Sequence, residues 1–182
     1  YPGENNIRLA DVVVINKVDS ADQNGIDIVK KNVAALNPKA KIILADSEIT
    51  VDSPNLIKGK RVLVVEDGPT LTHGEMKYGA GIVAAKRFGA GEIVDARKWA
   101  IGSIKKTYEK YTHLDKILPA MGYGRQQMKE LEAVINAADC DSVVVGTPID
   151  LAKLLQIDKP ATRVRYELKE KGAGIEEFMK KF

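Results

Sequence analysis

The sequence has very little cysteine, no long apolar run and no strong excess of one charge, and each shortage excludes a class of protein. Its 182 residues include one cysteine, Cys140, so no disulfide can form within the chain and nothing indicates an oxidising compartment. No apolar run approaches the length of a membrane-spanning helix, and no signal-peptide pattern opens the sequence. We therefore expect a cytoplasmic protein without a membrane partner.

The charges are nearly balanced, because 28 Lys and Arg residues accompany 25 Asp and Glu residues and leave a net charge of +3. So small and scattered an excess does not favour a nucleic-acid partner. Hydrophobic residues make up 45% of the chain and charged residues 29%, as in ordinary globular proteins. The length is sufficient for one large domain or two small ones.

The sequence also lacks the Walker-type phosphate-binding signature, Gly-x4-Gly-Lys-Ser/Thr. Residues 59–61, Gly-Lys-Arg, match it only superficially, because they enter a predicted strand and do not join a strand to a helix. The chain begins at Tyr1, and residues 1–6 predict a loop that leads into the first strand. We expect a fragment or processed half of a longer protein.

The most informative stretch is an apolar run that ends in Asn16-Lys17-x-Asp19. Residues 11–15, Asp-Val-Val-Val-Ile, predict a strand buried on both faces, and ligands of parallel sheets bind at the carboxyl ends of such strands. The Asp19 carboxylate can accept the pair of donors on one edge of guanine, which adenine lacks. Asn16 can bond to the base edge, and the Lys17 stem can cover the purine face. The pattern favours purine-base binding, although a strand that ends in a polar turn can spell the same letters.

A second strand of the same kind follows after one helix. Residues 26–36 carry apolar side chains at helical spacing, and residues 41–45 predict a buried strand that ends in Asp46-Ser47. The two strands are expected to be parallel, so their carboxyl ends meet at one edge of the sheet. Ser47 then lies where GTP-binding folds place a small residue beside the guanine carbonyl.

Predicted strands and helices alternate almost from end to end of the chain. This alternation predicts an α/β fold with mainly parallel sheets in Rossmann-like or P-loop-NTPase-derived three-layer units. Residues 51–60 include Asp, Pro, Asn and Gly and predict a linker. We therefore predict the C-terminal part of a nucleotide-binding domain over residues 1–58 and a Rossmann-like substrate or regulatory domain over residues 59–182.

A second candidate site follows the strand predicted at residues 61–65. Residues 66–75 predict a long polar loop, and polar loops at the carboxyl end of a buried strand often carry function. Carboxylates and an imidazole can hold a metal or transfer protons, hydroxyls can bind phosphate oxygens, and glycines let the backbone approach an anion. The candidate catalytic residues are Glu66, Asp67, His73 and Glu75, and the candidate substrate-binding residues are Thr70, Thr72, Gly74, Gly79 and Gly81. The other interpretation is a loop capped by its own hydroxyls and carboxylates.

Three stretches resemble the C-terminal part of a prokaryotic family of predicted GTPases related to cyclic 2,3-diphosphoglycerate synthetase. They are residues 1–6 (Tyr-Pro-Gly-Glu-Asn-Asn), 11–19 (Asp-Val-Val-Val-Ile-Asn-Lys-Val-Asp) and 65–75 (Val-Glu-Asp-Gly-Pro-Thr-Leu-Thr-His-Gly-Glu). The resemblance implies that GTP or ATP, with magnesium, drives the activation of a small phosphorylated or carboxylated metabolite. It also implies a longer parent protein that supplies the P-loop.

Carried over by position, the resemblance implies that Asn16, Lys17 and Asp19 read the base and that Ser47 supports it. Residues 66–75 would belong to the substrate region. Without the P-loop region the segment alone is expected to be inactive. The alternative is a non-catalytic α/β module that binds a small anionic ligand or a protein partner, and the sequence leaves open the substrate and whether the protein forms a homo-oligomer.

Overall fold

The computed structural model describes residues 2–73, 77–172 and 174–180. The chain forms two compact units, the first made of Tyr1–Glu48 with Tyr166–Phe182 and the second of Ile49–Arg165. The units are divided after Glu48 and after Arg165, whereas the predicted domain boundary lies after residue 58. The functions predicted for the two parts remain predictions. No helix within the described ranges is long and apolar enough to cross a membrane.

The first unit begins with a βαβ arrangement. Its elements are α1 (Pro2–Leu9), β1 (Val12–Ile15), α2 (Gln23–Leu36) and β2 (Lys41–Val51). The strands β1 and β2 are parallel, with Val12 opposite Lys41 and Ile15 opposite Leu44. Helix α2 begins after Asp22, whose carboxylate accepts the Gly25 N–H and so caps the helix. The carboxyl end of β1 therefore lies beside the middle of the longer strand β2.

The prediction of a loop over residues 1–6 is wrong, because helix α1 runs from Pro2 to Leu9. Proline is compatible with a first helical turn, where its missing N–H has no helical partner in any case. The Arg8 guanidinium donates to the Glu4 carboxylate at 2.7 Å across one turn. Asn37 Nδ2 donates to Ile7 O at 2.9 Å and fastens the end of the helix.

The expectation that β1 is buried on both faces holds only in part. Ile15 is buried, whereas Val12, Val13 and Val14 are half-buried. Among the described residues β1 pairs with β2, which lies on one of its edges. The valines are therefore covered less completely than in a strand with neighbours on both edges.

The second unit contains most of the remaining elements. In chain order these are a 3₁₀ helix (Pro54–Leu56), β3 (Arg61–Asp67), α3 (Gly68–His73), α4 (Ala80–Arg87), β4 (Glu92–Ile93), a 3₁₀ helix (Ala96–Trp99), α5 (Gly102–Lys110), β5 (Leu118–Ala120), α6 (Arg125–Ala137), β6 (Ser142–Gly146) and a 3₁₀ helix (Leu151–Lys153). The chain continues with β7 (Ala161–Lys171) and α7 (Ile175–Met179), and β7 passes from the second unit into the first.

Strand β3 lies at the centre of the parallel sheet of the second unit. It pairs in parallel with β4 near its start, with β5 near its end and with β6 along most of its length, and β6 pairs in parallel with β7. Helix α4 packs against β3 and β6, while α5 packs against α6 and β5. The structure confirms the predicted α/β class with a mainly parallel sheet and Rossmann-like layers.

This topology places the carboxyl ends of β3, β5 and β6 at one edge of the sheet. The β3 residues Val62–Val65 have no exposed surface, so the strand is buried on both faces, as its apolar sequence predicts. The chain leaves β3 toward β5 on one side and returns to β6 on the other. In sheets of this kind such a reversal leaves a crevice at the carboxyl ends of the strands.

Two predicted loops of the second unit are ordered differently in the structure. Residues 51–60 do not form a plain linker, because Ile57 is fully buried and Leu56 O accepts a hydrogen bond from Ser142 Oγ. Most of the loop predicted over residues 66–75 is strand end and helix, since β3 runs to Asp67 and α3 begins at Gly68. Proline within the first helical turn and the burial of Leu71 are consistent with this helix.

Candidate functional site

The loop that follows β1 is a tight turn held by its own backbone. Lys17 has a φ of +62°, and it is the non-glycine residue with a positive φ in the described part of the chain. Its carbonyl accepts the N–H groups of Ser20 at 3.2 Å and Ala21 at 3.1 Å, and its own N–H donates to Asn16 Oδ1 at 2.8 Å. The Asn16 side chain therefore braces the loop, and both Asn16 and Lys17 are exposed to solvent.

The structure brings Asp19 and Ser47 together. The Ser47 N–H donates to Asp19 Oδ1 at 3.0 Å, and the Val18 N–H donates to Ala45 O at 3.2 Å. Ser47 is buried, whereas Asp19 is exposed. These two bonds fix the predicted base-reading loop to β2, although the base-binding role of its residues remains a prediction.

Two residues of β7 outside the predicted set lie in this region, Tyr166 near the loop and Lys171 near strand β2. Lys17 Nζ is 5.4 Å from the centroid of the Tyr166 ring, and Lys171 Nζ is 2.8 Å from Asp46 Oδ1. Both β7 residues are far from residues 16–19 in the sequence and belong to no motif. Their place near residues 16–19 and 46 follows only from the position of β7 in the first unit.

Glu66 is a buried carboxylate at the carboxyl end of β3. Its side chain is 2% exposed, and its Oε1 accepts the N–H groups of Gly79 and Ile82, both at 3.0 Å. Burial raises the pKa of Glu66 above its ordinary value of 4.5, although the N–H groups of Ile82, Gly81 and Gly79 favour the charged form. In this structure Glu66 caps the start of α4, and its predicted catalytic role is untested.

Three glycines surround the Glu66 carboxylate, and two of them, Gly79 and Gly81, are among the predicted site residues. A Cβ atom on Gly79 or Gly146 would lie 2.7 Å from Glu66 Oε2, and one on Gly81 would lie 3.1 Å from Oε1. The amide of Gly79, predicted to bind a substrate anion, donates to Glu66 instead. Gly146 is the last residue of β6, and the parallel pairing of β6 with β3 places it beside Glu66.

Asp67 is half-buried and lies beside the hydroxyl group of Thr70. Its Oδ2 accepts the Thr70 N–H at 3.3 Å and also accepts a hydrogen bond from Thr70 Oγ1. Burial and the charge of Asp67 raise the pKa of Tyr123, which follows β5. The end of β3 at Asp67 pairs with Ala120 at the end of β5, and Tyr123 follows three residues later.

Thr72 and His73, two further predicted residues of this region, make no hydrogen bond to Asp67 in the described part of the chain. Thr72 is buried, and its hydroxyl donates to Pro69 O at 3.3 Å within α3. His73 is exposed in the last turn of α3. Gly74 and Glu75 lie outside the described residues. Among the residues that are described, no group of three or more His, Cys, Asp or Glu side chains is arranged to hold a metal ion.

In a comparison with known protein families, no family model matches the chain. Over 172 residues, 94% of its length, the chain is 62% identical to arginine synthetase ArcE of Thermococcus kodakarensis. It spans 38% of the length of that relative. The name of the relative mentions neither a GTPase nor cyclic 2,3-diphosphoglycerate. The similarity therefore supports the expectation of a synthetase-like protein, but neither the GTPase nor the cyclic 2,3-diphosphoglycerate synthetase. The chain is thus similar to part of a synthetase.

Proposed function

We propose that the chain is part of a nucleotide-dependent synthetase and that residues 16–19 hold the purine base of a nucleoside triphosphate. The observation that carries this proposal is the hydrogen bond from the Ser47 N–H to Asp19 Oδ1 at 3.0 Å. It joins the loop after the carboxyl end of β1 to the middle of the parallel strand β2, and ligands of α/β folds bind at the carboxyl ends of strands such as β1. One oxygen of Asp19 is held in place, and its other oxygen has no partner among the described residues.

The proposed nucleotide is GTP, with ATP as the competing ligand. The outer oxygen of Asp19 accepts the donors of guanine, while adenine leaves the carboxylate without donors. The Lys17 stem covers one face of the base. The triphosphate-binding loop, whose signature this sequence lacks, is proposed to come from another segment of the protein, and magnesium is proposed to accompany the phosphates there.

The proposed metabolite site is the carboxyl edge of the sheet in the second unit, around Asp67, Thr70 and Tyr123. The similarity to a protein named arginine synthetase supports arginine as a substrate or product. Arginine carries a guanidinium and an α-ammonium group, and carboxylates bind both through charged hydrogen bonds. Asp67 is the half-buried carboxylate that meets this requirement.

The test is isothermal titration of the chain with GTP, GDP and ATP in the presence of magnesium. We expect guanine-selective binding, and we expect Asp19→Asn to reduce the preference for GTP over ATP by roughly 10-fold or more. Asp27→Asn is the matched control, because Asp27 is another partly exposed carboxylate of the first unit and lies on α2. Equal selectivity in the Asp19 variant and the wild type would contradict the proposed base-reading role.

A further inference from the structure

Arg163, on strand β7 of the second unit, uses only part of its hydrogen-bonding capacity within the described residues. A guanidinium group has five N–H groups. The Arg163 Nη2 donates to Pro148 O at 3.1 Å, and Nη1 lies 3.3 Å from Asp150 Oδ2. The Nε is buried and has no hydrogen-bond partner in the described part of the chain. A buried donor without a partner lowers stability, so packing alone does not account for an arginine at this position.

The next arginine of the same strand is paired more fully. Arg165 donates from Nε to Asp52 Oδ1 at 2.5 Å and from Nη2 to Asp52 Oδ2 at 3.1 Å. Two parallel bonds of this kind are the strongest way in which a guanidinium binds a carboxylate. Among the described residues Arg163 has no bidentate partner of this kind. Its side chain is 23% exposed, so its guanidinium can donate to a further carboxylate.

Arg163 shares one face of the sheet with Asp67, the carboxylate of the proposed metabolite site. Arg163 pairs with Val145 of β6, and Val145 pairs with Val65 of β3, so the side chains at these positions point to the same face. Asp67 is two residues after Val65 and therefore points to that face as well. This face thus carries a carboxylate on β3 and a guanidinium on β7.

The separation of these two groups suits an extended amino acid. Strand β7 lies two strands from β3, a distance of about 10 Å, because neighbouring strands are about 4.8 Å apart. The Arg163 side chain reaches past the carboxyl end of β6, since it contacts Pro148 and Asp150, which follow that strand. An extended arginine molecule spans roughly 7–8 Å between its carboxylate and guanidinium carbons. It is therefore long enough to reach from Asp67 to Arg163.

We propose that Arg163 binds the α-carboxylate of the metabolite and Asp150 its α-ammonium group, while Asp67 binds the guanidinium end. The Asp150 carboxylate lies beside the Arg163 guanidinium, so the two opposite charges are placed to meet those of an α-amino acid. Both contacts are charged hydrogen bonds, which are stronger than neutral ones. This inference rests on the proposed metabolite site and adds to it the residues that recognise the amino-acid headgroup.

The experiment compares arginine with agmatine, the same molecule without its carboxylate, by isothermal titration of the chain. We expect the wild type to bind arginine about 10-fold or more tightly than agmatine, because only arginine forms charged hydrogen bonds to Arg163. In Arg163→Gln we expect the two affinities to agree within about twofold, because the charged donors are gone. Asp150→Asn should weaken both ligands by a similar factor, since both carry the ammonium group. An ion pair with only a structural role would leave the ratio between the ligands unchanged.

Arg61→Gln is the matched control. Arg61 also pairs with carboxylates, Glu92 at 3.0 Å and Asp139 at 3.1 Å, but it lies at the start of β3, at the opposite edge of the sheet. This variant should prefer arginine as strongly as the wild type does. Arg163→Lys keeps the charge but cannot form two parallel bonds, so it should retain only part of the preference, and it replaces Arg163→Gln if that variant does not fold. Thermal unfolding of each variant checks the fold.

Two results would overturn this inference and leave the proposed function standing. One is an undiminished preference for arginine in the Arg163 variants. The other is equal affinity of the wild type for arginine and agmatine. The absence of arginine binding to the wild type would overturn the proposed metabolite site and this inference together.

Discussion

The Ile82 N–H donates to Glu66 Oε1 at 3.0 Å, so the first turn of α4 is capped by a buried carboxylate from the neighbouring strand β3. Such a carboxylate occupies the place that an anionic ligand takes at other helix N-termini. Burial raises the pKa of Glu66 above 4.5, which means that the folded state holds the proton more tightly than the unfolded state does. Glu66 therefore couples stability to pH.

The first prediction concerns the pH dependence of stability. Because the folded-state pKa of Glu66 is raised, its favourable contribution is complete below the unfolded value of about 4.5 and is lost as the pH rises through the folded pKa. We expect Glu66→Gln, which cannot ionise, to show a smaller loss of unfolding free energy over that range. Urea unfolding of the wild type and the variant at a series of pH values measures this difference. Parallel pH profiles for the two proteins would refute the prediction.

The second prediction concerns the space around this carboxylate. A Cβ atom on Gly146 would lie 2.7 Å from Glu66 Oε2 and 2.8 Å from the backbone nitrogen of Gly81, so Gly146→Ala forces the packing of α4 on β6 apart. We expect a loss of about 1–3 kcal/mol in the free energy of unfolding. Gly3→Ala is the control, because the new methyl group in α1 would meet no described atom within 4 Å beyond the adjacent residues and the backbone of its own helix, and alanine favours the helix. Equal stabilities of the two variants would disprove the steric argument.

The third prediction concerns a second carboxylate that caps a helix. Glu130 accepts hydrogen bonds from Ser103 Oγ, from Gln126 Nε2 and from the Ser103 N–H at the start of α5. These bonds, with that of the Ser103 side chain the largest, lower the pKa of Glu130 below 4.5. The stability that the Glu130 carboxylate supplies is therefore present above the unfolded pKa and is lost as the pH falls through the folded pKa.

We accordingly expect Glu130→Gln to be less stable than the wild type at neutral pH and to lose less stability on acidification to roughly pH 3. Chemical unfolding at neutral and acidic pH measures both values. Glu132→Gln on the same helix is a control, since the Glu132 carboxylate accepts the N–H of Gln156 at 2.8 Å, which does not lie at the start of a helix. The same acid dependence in Glu130→Gln and the wild type would count against the cap.

The sequence was sufficient to predict elements whose periodicity is strong and local. The helix predicted over residues 26–36 and the strand predicted over residues 61–65 both occur in the structure, as α2 and β3. Helix α1 was missed because Pro2 and Gly3 are typical of a turn, whereas the helix depends on Asn37 bonding to its carboxyl end. The helix propensity of residues 2–9 does not include a hydrogen bond from a residue 30 positions away.

The same distinction explains the candidate sites. Asp19 and Ser47 belong to one βαβ unit, whose parallel pairing is a general rule, so their proximity could be anticipated. Gly146 lies beside Glu66, and Tyr166 beside Lys17, because of the order of the strands. No short stretch of sequence specifies that order. The residues next to Gly146 and Tyr166 can be identified only when the positions of β6 and β7 are known.

The last prediction concerns the metabolite proposed to bind in the second unit. Asp67 Oδ2 is held by the Thr70 N–H at 3.3 Å and by its hydroxyl, while its other oxygen bonds to no residue in the described ranges. A guanidinium can bond to that free oxygen at the carboxyl end of β3. We expect Asp67→Asn to weaken arginine binding by about 10-fold or more, measured by isothermal titration.

Asp67→Asn should also lower the pKa of Tyr123, because the charge of Asp67 contributes to raising it. Tyrosine absorbance recorded against pH, with Tyr123→Phe to identify the signal, measures that change independently of any ligand. Asp139→Asn is the control for arginine binding, since the Asp139 carboxylate already pairs with Arg61 at 3.1 Å. If Asp67→Asn lowers the Tyr123 pKa but leaves arginine affinity unchanged, the two side chains interact as described and the metabolite binds elsewhere.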